Sequence, residues 1–171
     1  MIGKLLRENN IVAGILTVVR IYLGWAWMTA GFHKLTGGFD AVGFLKGAVA
    51  NPVMGPDGTA VYSGWVSFLE SFAIPNAGLF NFLIPLGEFL VGLGLILGCL
   101  TTAAAFFAMV MNFSFMLSGT VSHNPTDIMM AVFIAAAGYN AGKFGLDRYV
   151  LPFLRKLVNK GKAEEGHSIS A

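Results

Sequence analysis

Two stretches of the chain, 11–32 and 77–98, are apolar apart from one charge each, Arg20 in the first and Glu88 in the second. A helix that crosses a bilayer needs about 20 mostly apolar residues, so both stretches fit the hydrocarbon thickness. Composition agrees. Only 12% of residues are charged and 56% are hydrophobic, with a mean hydropathy of +0.70, whereas soluble domains carry about a quarter charged residues. A water-soluble globule is excluded. The net charge of +2 forms no Lys/Arg cluster on a polar helical face, so nucleic acid is not an expected partner. Cys99 is the single cysteine, which rules out an internal disulfide, a CxxC pair or a cysteine metal cluster. Inside the apolar run 95–100 it reads as a packing residue.

Two further apolar segments, 101–117 and 126–141, lie near the short limit for a span and require thin bilayer or extended flanks. An uncharged hairpin at 98–102 separates the second segment from the third. The turn 118–125 follows the third, and its Asn124-Pro125 pair restarts a helix. The expected fold class is all-α: an integral membrane four-helix bundle with spans near 11–32, 77–98, 101–117 and 126–141. These form one domain over 1–158, with a disordered cytoplasmic tail at 159–171. Lys4 and Arg7 precede the first span, six basic residues from Lys143 to Lys162 follow the last, and only Lys34 and Lys46 lie between spans. The positive-inside rule then places both termini in the cytoplasm of a multi-pass cell-membrane protein. Because Arg20 interrupts the first run and no A-x-A site follows, that helix is expected to be retained and not cleaved as a signal peptide. The connection 33–76 is too long to be idle. Within it Val61, Trp65, Phe68, Leu69 and Phe72, and more weakly Phe39, Val42, Leu45 and Val49, recur at helical spacing. That spacing predicts short amphipathic helices in an extracytoplasmic loop.

A charge near the bilayer centre costs about 2.5–3.5 kcal/mol, so Arg20 and Glu88 need a reason. Arg20, Gly24, Trp27, Gly31 and Lys34 share one face of the first helix. Asn81, Glu88 and Gly92 lie on one side of the second beside Pro85 and Gly87, and Asn112 sits midway along the third. Three helices are thus expected to bring a strongly polar group to a similar depth. Two readings stay open: an Arg20–Glu88 ion pair, hydrogen-bonded by Asn112, that only sets helix neighbours, or a polar pocket. Trp25, Trp27, Phe32, Phe89, Phe106, Phe107, Phe113 and Phe115 offer aromatic surface for a flat ring and serve equally as core. At the outer mouth, His33 and Lys34 end the first helix while His123, Asn124 and Asp127 open the fourth. Such a group binds an anion or relays protons, or is ordinary helix-end chemistry. The histidines lack ligand spacing, and there is no haem-attachment motif, iron–sulfur cysteine set, dinucleotide fingerprint or P-loop, so no metal, haem or nucleotide is expected.

One set of segments resembles a known family. Arg20-Ile21-Tyr22-Leu23-Gly24-Trp25 is followed by Gly31-Phe32-His33-Lys34-Leu35, then by 85–98 from Pro85-Leu86-Gly87-Glu88 to Gly98. Asn112 to Gly119 comes next, then Ser122-His123-Asn124-Pro125, and Gly145-Leu146-Asp147-Arg148 near the end. In that order, over 20–152, they resemble the DoxX/DoxD family of small four-helix membrane proteins, and especially DoxD, the membrane subunit of thiosulfate:quinone oxidoreductase. The resemblance implies oxidation of thiosulfate to tetrathionate, membrane quinone as electron acceptor, and a separate DoxA-like subunit as partner. Candidate catalytic residues are Arg20, Lys34, Glu88, Asn112 and His123, and Trp27, Asn124 and Asp127 are candidates for contacting the quinone. The alternative is a non-enzymatic membrane scaffold or assembly factor for a redox complex, its polar residues pairing helices and its outer loop docking a protein. Membrane lipid is a partner in both readings, and a homo-oligomer is compatible with both. A transporter fits less well, for want of inverted repeats.

Overall fold

The computed structural model describes residues 2–168, with side chains described through 159. A short helix α1 (Ile2–Glu8) leads into the long α2 (Asn10–Gly37), followed by α3 (Ala41–Ala50). Helix α4 (Ser63–Phe68) then runs straight into a π-helical turn (Leu69–Ala73). The remaining helices are α5 (Ala77–Leu97), α6 (Thr101–Leu117), α7 (Asn124–Ala137), α8 (Tyr139–Gly142) and α9 (Asp147–Ser168). Helices α2 and α5 are long and apolar enough to cross a membrane, while α6 and α7 are apolar but shorter.

The ends of these helices have local causes. The Asn9 side chain caps α2 by accepting hydrogen bonds from the Ile11 and Val12 amides at 2.8 and 3.1 Å, which separates α1 from the span. At its far end α2 runs past residue 32 to Gly37, because nothing breaks it before Gly38, which turns the chain at φ 79°. The expected segment 126–141 is split instead into α7 and α8 by Gly138, at φ 57° and ψ −128°. Helix α9 covers 159–168, which the sequence assigns to a disordered tail, since Lys162-Ala163-Glu164-Glu165 are strong helix formers continuing an existing helix. Residues 169–171 of that tail lie outside the described residues.

Packing closes a ring, α2 on α5, α5 on α6, α6 on α7 and α7 back on α2. The α2–α5 seam is backbone against backbone. A Cβ on Gly24 would lie 2.8 Å from the Gly92 carbonyl oxygen, and one on Gly31 would lie 2.7 Å from that of Pro85. Small residues at such a crossing let two apolar helices gain van der Waals contact where lipid removes the hydrophobic drive. Leu16, Leu23, Leu95, Ala105, Ala108 and Ile134 form part of the shared core.

The long connection folds over one end of α5 and α6. Its buried stripe is Ala41, Leu45 and Ala48 packed on Leu69, Ala73 and Ala77. Phe39, Val42 and Val49 sit at the edge of this cluster, so of the inner face of α3 the sequence pattern finds Leu45 but not Ala41 or Ala48. Asn81 Oδ1 accepts from the Ala41 backbone amide at 2.7 Å, and the Trp65 indole donates to Ser118 Oγ at 3.0 Å. Asn81 is therefore engaged in holding the loop. Beyond α3, Asp57 closes a turn by accepting from the backbone amide and hydroxyl of Thr59, which hold its carboxyl below the usual range.

Candidate functional site

Four elements converge under this loop. Helix α2 contributes Trp27 and Lys34, α5 Ile84 and Glu88, α6 Asn112 and Phe115, and the start of α7 His123, Asn124 and Asp127. With Phe39 and Phe44 from the loop they line a half-open cavity of about 340 Å³, at the small end of ligand pockets, which begin near 300 Å³.

The polar groups of this cavity are unevenly satisfied. The Lys34 ammonium donates to Glu88 Oε1 and lies 5.4 Å from the Phe39 ring centre and 6.0 Å from that of Phe115. Glu88 Oε2 has no protein partner, and neither do Trp27 Nε1 or the amide nitrogen and oxygen of Asn112. All three residues are buried, Asn112 completely. An unpaired buried polar group costs about 1–3 kcal/mol, so a cluster of them calls for water or a polar ligand. The residues lining this cavity thus include unpaired donors (Trp27 and Asn112 N–H) and acceptors (Glu88 and Asn112 oxygens).

At the mouth, His123 Nδ1 lies 2.8 Å from Asp127 Oδ2. The Asp127 carboxylate is 7% exposed and the imidazole 70% exposed, so the pair leads from the surface into the cavity wall. The Asn124 amide donates to the Thr120 carbonyl at 2.8 Å. Ser122, another lining residue, holds φ at 40°, the left-handed region a serine seldom occupies, and that strain sits beside the cavity.

Arg20 is elsewhere. Its guanidinium donates to the carbonyls of Leu95 at 2.5 Å, Ile96 at 2.7 Å and Ala141 at 3.1 Å, and it lies against Gly98. Nearby, Asp147 accepts from the Leu100 and Thr101 amides at 2.6 and 3.0 Å. This hub ties the α5–α6 hairpin to the start of α9 and closes the α5 C-terminus with a cation. The Arg20–Glu88 pair, one of the two readings of the sequence, does not form, and Arg20, a candidate catalytic residue, does not line the cavity. The reason is geometric: residues 20 and 34 share a face but stand roughly 21 Å apart along the helix axis. Because α5 runs antiparallel to α2, Lys34 meets Glu88 while Arg20 meets the last turn of α5.

The other expected residues, Trp27, Lys34, Glu88, Asn112, His123, Asn124 and Asp127, all line the cavity. Of the aromatic supply only Trp27 and Phe115 do so, while Trp25, Phe32, Phe106, Phe107 and Phe113 point outward. The sequence does not single out Phe44, whose ring packs edge-on against Phe115 at 6.1 Å, nor Thr120 and Ser122. Their placement depends on how the loop folds back, which no periodicity encodes. Among the described residues no group of three His, Cys, Asp or Glu side chains is placed to hold a metal ion.

A family model described as DoxX matches residues 15–120, from the first third of α2 to the turn before α7. No curated protein and no solved structure matches the chain.

Proposed function

The chain belongs to the DoxX family, and on that premise we propose that it is the quinone-binding subunit of a membrane oxidoreductase. The proposed reaction is of the DoxD type: two thiosulfate ions join through a new S–S bond as tetrathionate, each giving up one electron. The quinone takes both electrons with two protons and leaves as quinol. The observation that carries this reading is the set of unpartnered buried atoms on Trp27, Glu88 and Asn112, three residues that line the cavity.

A quinone presents two carbonyl acceptors, and its quinol presents two hydroxyl donors. Trp27 Nε1–H and the Asn112 amide suit the first state, and Glu88 Oε2 and the Asn112 oxygen suit the second. A site with both kinds of group binds either redox form. Lys34 fixes the Glu88 carboxylate through its other oxygen, and the His123–Asp127 pair supplies a proton route from the mouth.

The sulfur anion fits less closely to this chain. Both cations at the site, Lys34 and any protonated His123, are already paired with carboxylates, so a dianion meets no excess positive charge. In the proposal, a separate DoxA-like subunit binds thiosulfate and contributes to its oxidation, and this chain receives the electrons on quinone. The protein crosses the membrane four times with both termini cytoplasmic.

The test is titration of the protein in lipid nanodiscs with the tail-less ubiquinone ring, followed by Trp fluorescence. Saturable quenching is expected, weakened roughly tenfold or more in Asn112→Leu. Quinol formation from thiosulfate is expected only when the partner subunit is present. No saturable binding in the folded protein, or binding equal in wild type and Asn112→Leu, sinks the proposal. The scaffold reading has one observation in its favour: Arg20 is spent entirely on helix ends. It predicts that Glu88→Ala lowers folded yield while no quinone binds to any variant.

A further inference from the structure

A second hollow, of about 750 Å³, runs between α5 and α6. Its lining extends from Leu100 at the hairpin to Ser118 at the far end of α6, a rise of roughly 25 Å. Small residues form its floor, Gly87 and Gly94 on α5 and Ala103 and Ala104 on α6. Trp65, Phe68 and Leu69 of the loop cover one end, while Leu90 and Phe107 are exposed along its side. The groove meets the polar cavity at Phe44, Ile84 and Phe115, which line both.

The two compartments differ in what they lack. In the groove the hydroxyls and the indole are already bonded: Ser114 Oγ donates to Val110 O, Ser118 Oγ to Ser114 O, and Trp65 Nε1 to Ser118 Oγ. In the cavity Trp27 Nε1, Glu88 Oε2 and both amide atoms of Asn112 have no partner. One compartment therefore suits an apolar chain and the other a polar ring, and they share a wall.

We infer that the groove seats the hydrophobic tail of the ligand whose ring enters the cavity, so that a polyprenyl quinone lies with its tail between α5 and α6. This rests on the reading of the cavity as a quinone site. A phospholipid acyl chain fits the groove less well. The loop covers the groove end next to the cavity, where a headgroup would sit, and the Lys34–Glu88 pair leaves no net charge there for a phosphate. The tail enters sideways, from the lipid, past Leu90 and Phe107.

The experiment compares the tail-less ubiquinone ring with the same ring carrying a decyl chain, on nanodisc protein, with concentrations corrected for partition into lipid. Wild type is expected to bind the decyl form roughly tenfold or more tightly than the bare ring. Ala103→Trp and Leu90→Trp fill the groove from exposed positions that leave the core alone. Each is expected to abolish that preference while binding the bare ring as wild type does. An unchanged preference in both folded variants, with Asn112→Leu still weakening both ligands, overturns the tail assignment and leaves the cavity reading standing. Displacement of the decyl form, but not of the bare ring, by added phosphatidylglycerol makes the groove a phospholipid site and also overturns the assignment. Insensitivity of both ligands to Asn112→Leu removes the cavity reading itself.

Discussion

Asn112 and Arg20 are buried to nearly the same degree, yet their side chains stand in opposite positions. Every hydrogen-bonding atom of the Asn112 amide lacks a protein partner, so the group is a liability unless something enters the cavity. Replacing it with leucine, close in volume, removes that liability. Without ligand, Asn112→Leu is expected to raise the thermal midpoint, with a gain on the order of 1 kcal/mol. Quinone affinity should fall in the same variant. Higher stability with lower affinity is the signature of a binding residue, and thermal unfolding beside ligand titration reads both. Arg20 behaves the other way. Its three carbonyl acceptors belong to α5 and α8, and hydrogen bonds from a charged donor contribute about 1.5–3 kcal/mol each. Arg20→Met should therefore lose more than about 3 kcal/mol, seen as a collapse in folded yield. Arg20→Lys should recover only part of it, because an ammonium lacks the planar fork that reaches acceptors on two helices. Ring affinity in whatever fraction folds should match wild type, and a specific loss of affinity would return Arg20 to the site.

The same contrast holds between glycines along α2. Gly24 faces the backbone of α5, where an added Cβ would lie 2.8–2.9 Å from Gly92 and Ile96 atoms, whereas Gly14 has nothing within 4 Å. Gly14→Ala is expected to stabilise the helix by about 0.8–1.0 kcal/mol, the intrinsic preference for alanine. Gly24→Ala is expected to destabilise, because neither backbone can yield without parting the seam. Thermal unfolding of the two variants in one detergent decides this, and equal effects would mean the seam is loose. The seam also marks how far the sequence can be read. The stripe Arg20, Gly24, Trp27, Gly31 and Lys34 is visible as a helical period, and its inward facing follows from small residues beside charges. Which charge meets which is invisible, since it depends on the register of α5 against α2, a property of the packed pair. The same limit explains Glu88, whose burial the apolar run around it announces but whose partner it does not. It explains the outer loop too, whose helices are legible while the roof over the α5–α6 groove is not.

The start of the chain meets the segment 136–143 at one end of the molecule. Arg7 donates to the Ala136 carbonyl, the Asn140 amide to the carbonyls of Leu6 and Asn9, and Lys143 to Asn10 Oδ1. The basic residues Lys4, Arg7, Lys143 and Arg148 therefore lie at the end that holds the α5–α6 hairpin and Arg20. The long loop and His123 lie at the other. A charge asymmetry of this kind orients a membrane protein with its basic end inside. Helix α9 strengthens the argument. Tyr149, Phe153 and Leu157 are exposed along it beside Arg148, Arg155 and Lys156. That is the pattern of a helix lying in an anionic interface, its rings in the acyl boundary and its cations among headgroups. The orientation can be tested in a Cys99→Ser background by placing one cysteine at a time at exposed Glu8, Asp57 and Lys156. In intact cells a membrane-impermeant maleimide is expected to label Asp57→Cys alone, with Glu8→Cys and Lys156→Cys labelled only after the membrane is opened. Labelling of Glu8→Cys and Lys156→Cys from outside, with Asp57→Cys labelled only after opening, would invert the proposed four-crossing topology. It would also detach the cavity mouth at His123 from the outer face, and with it the proposed path by which protons reach the quinone.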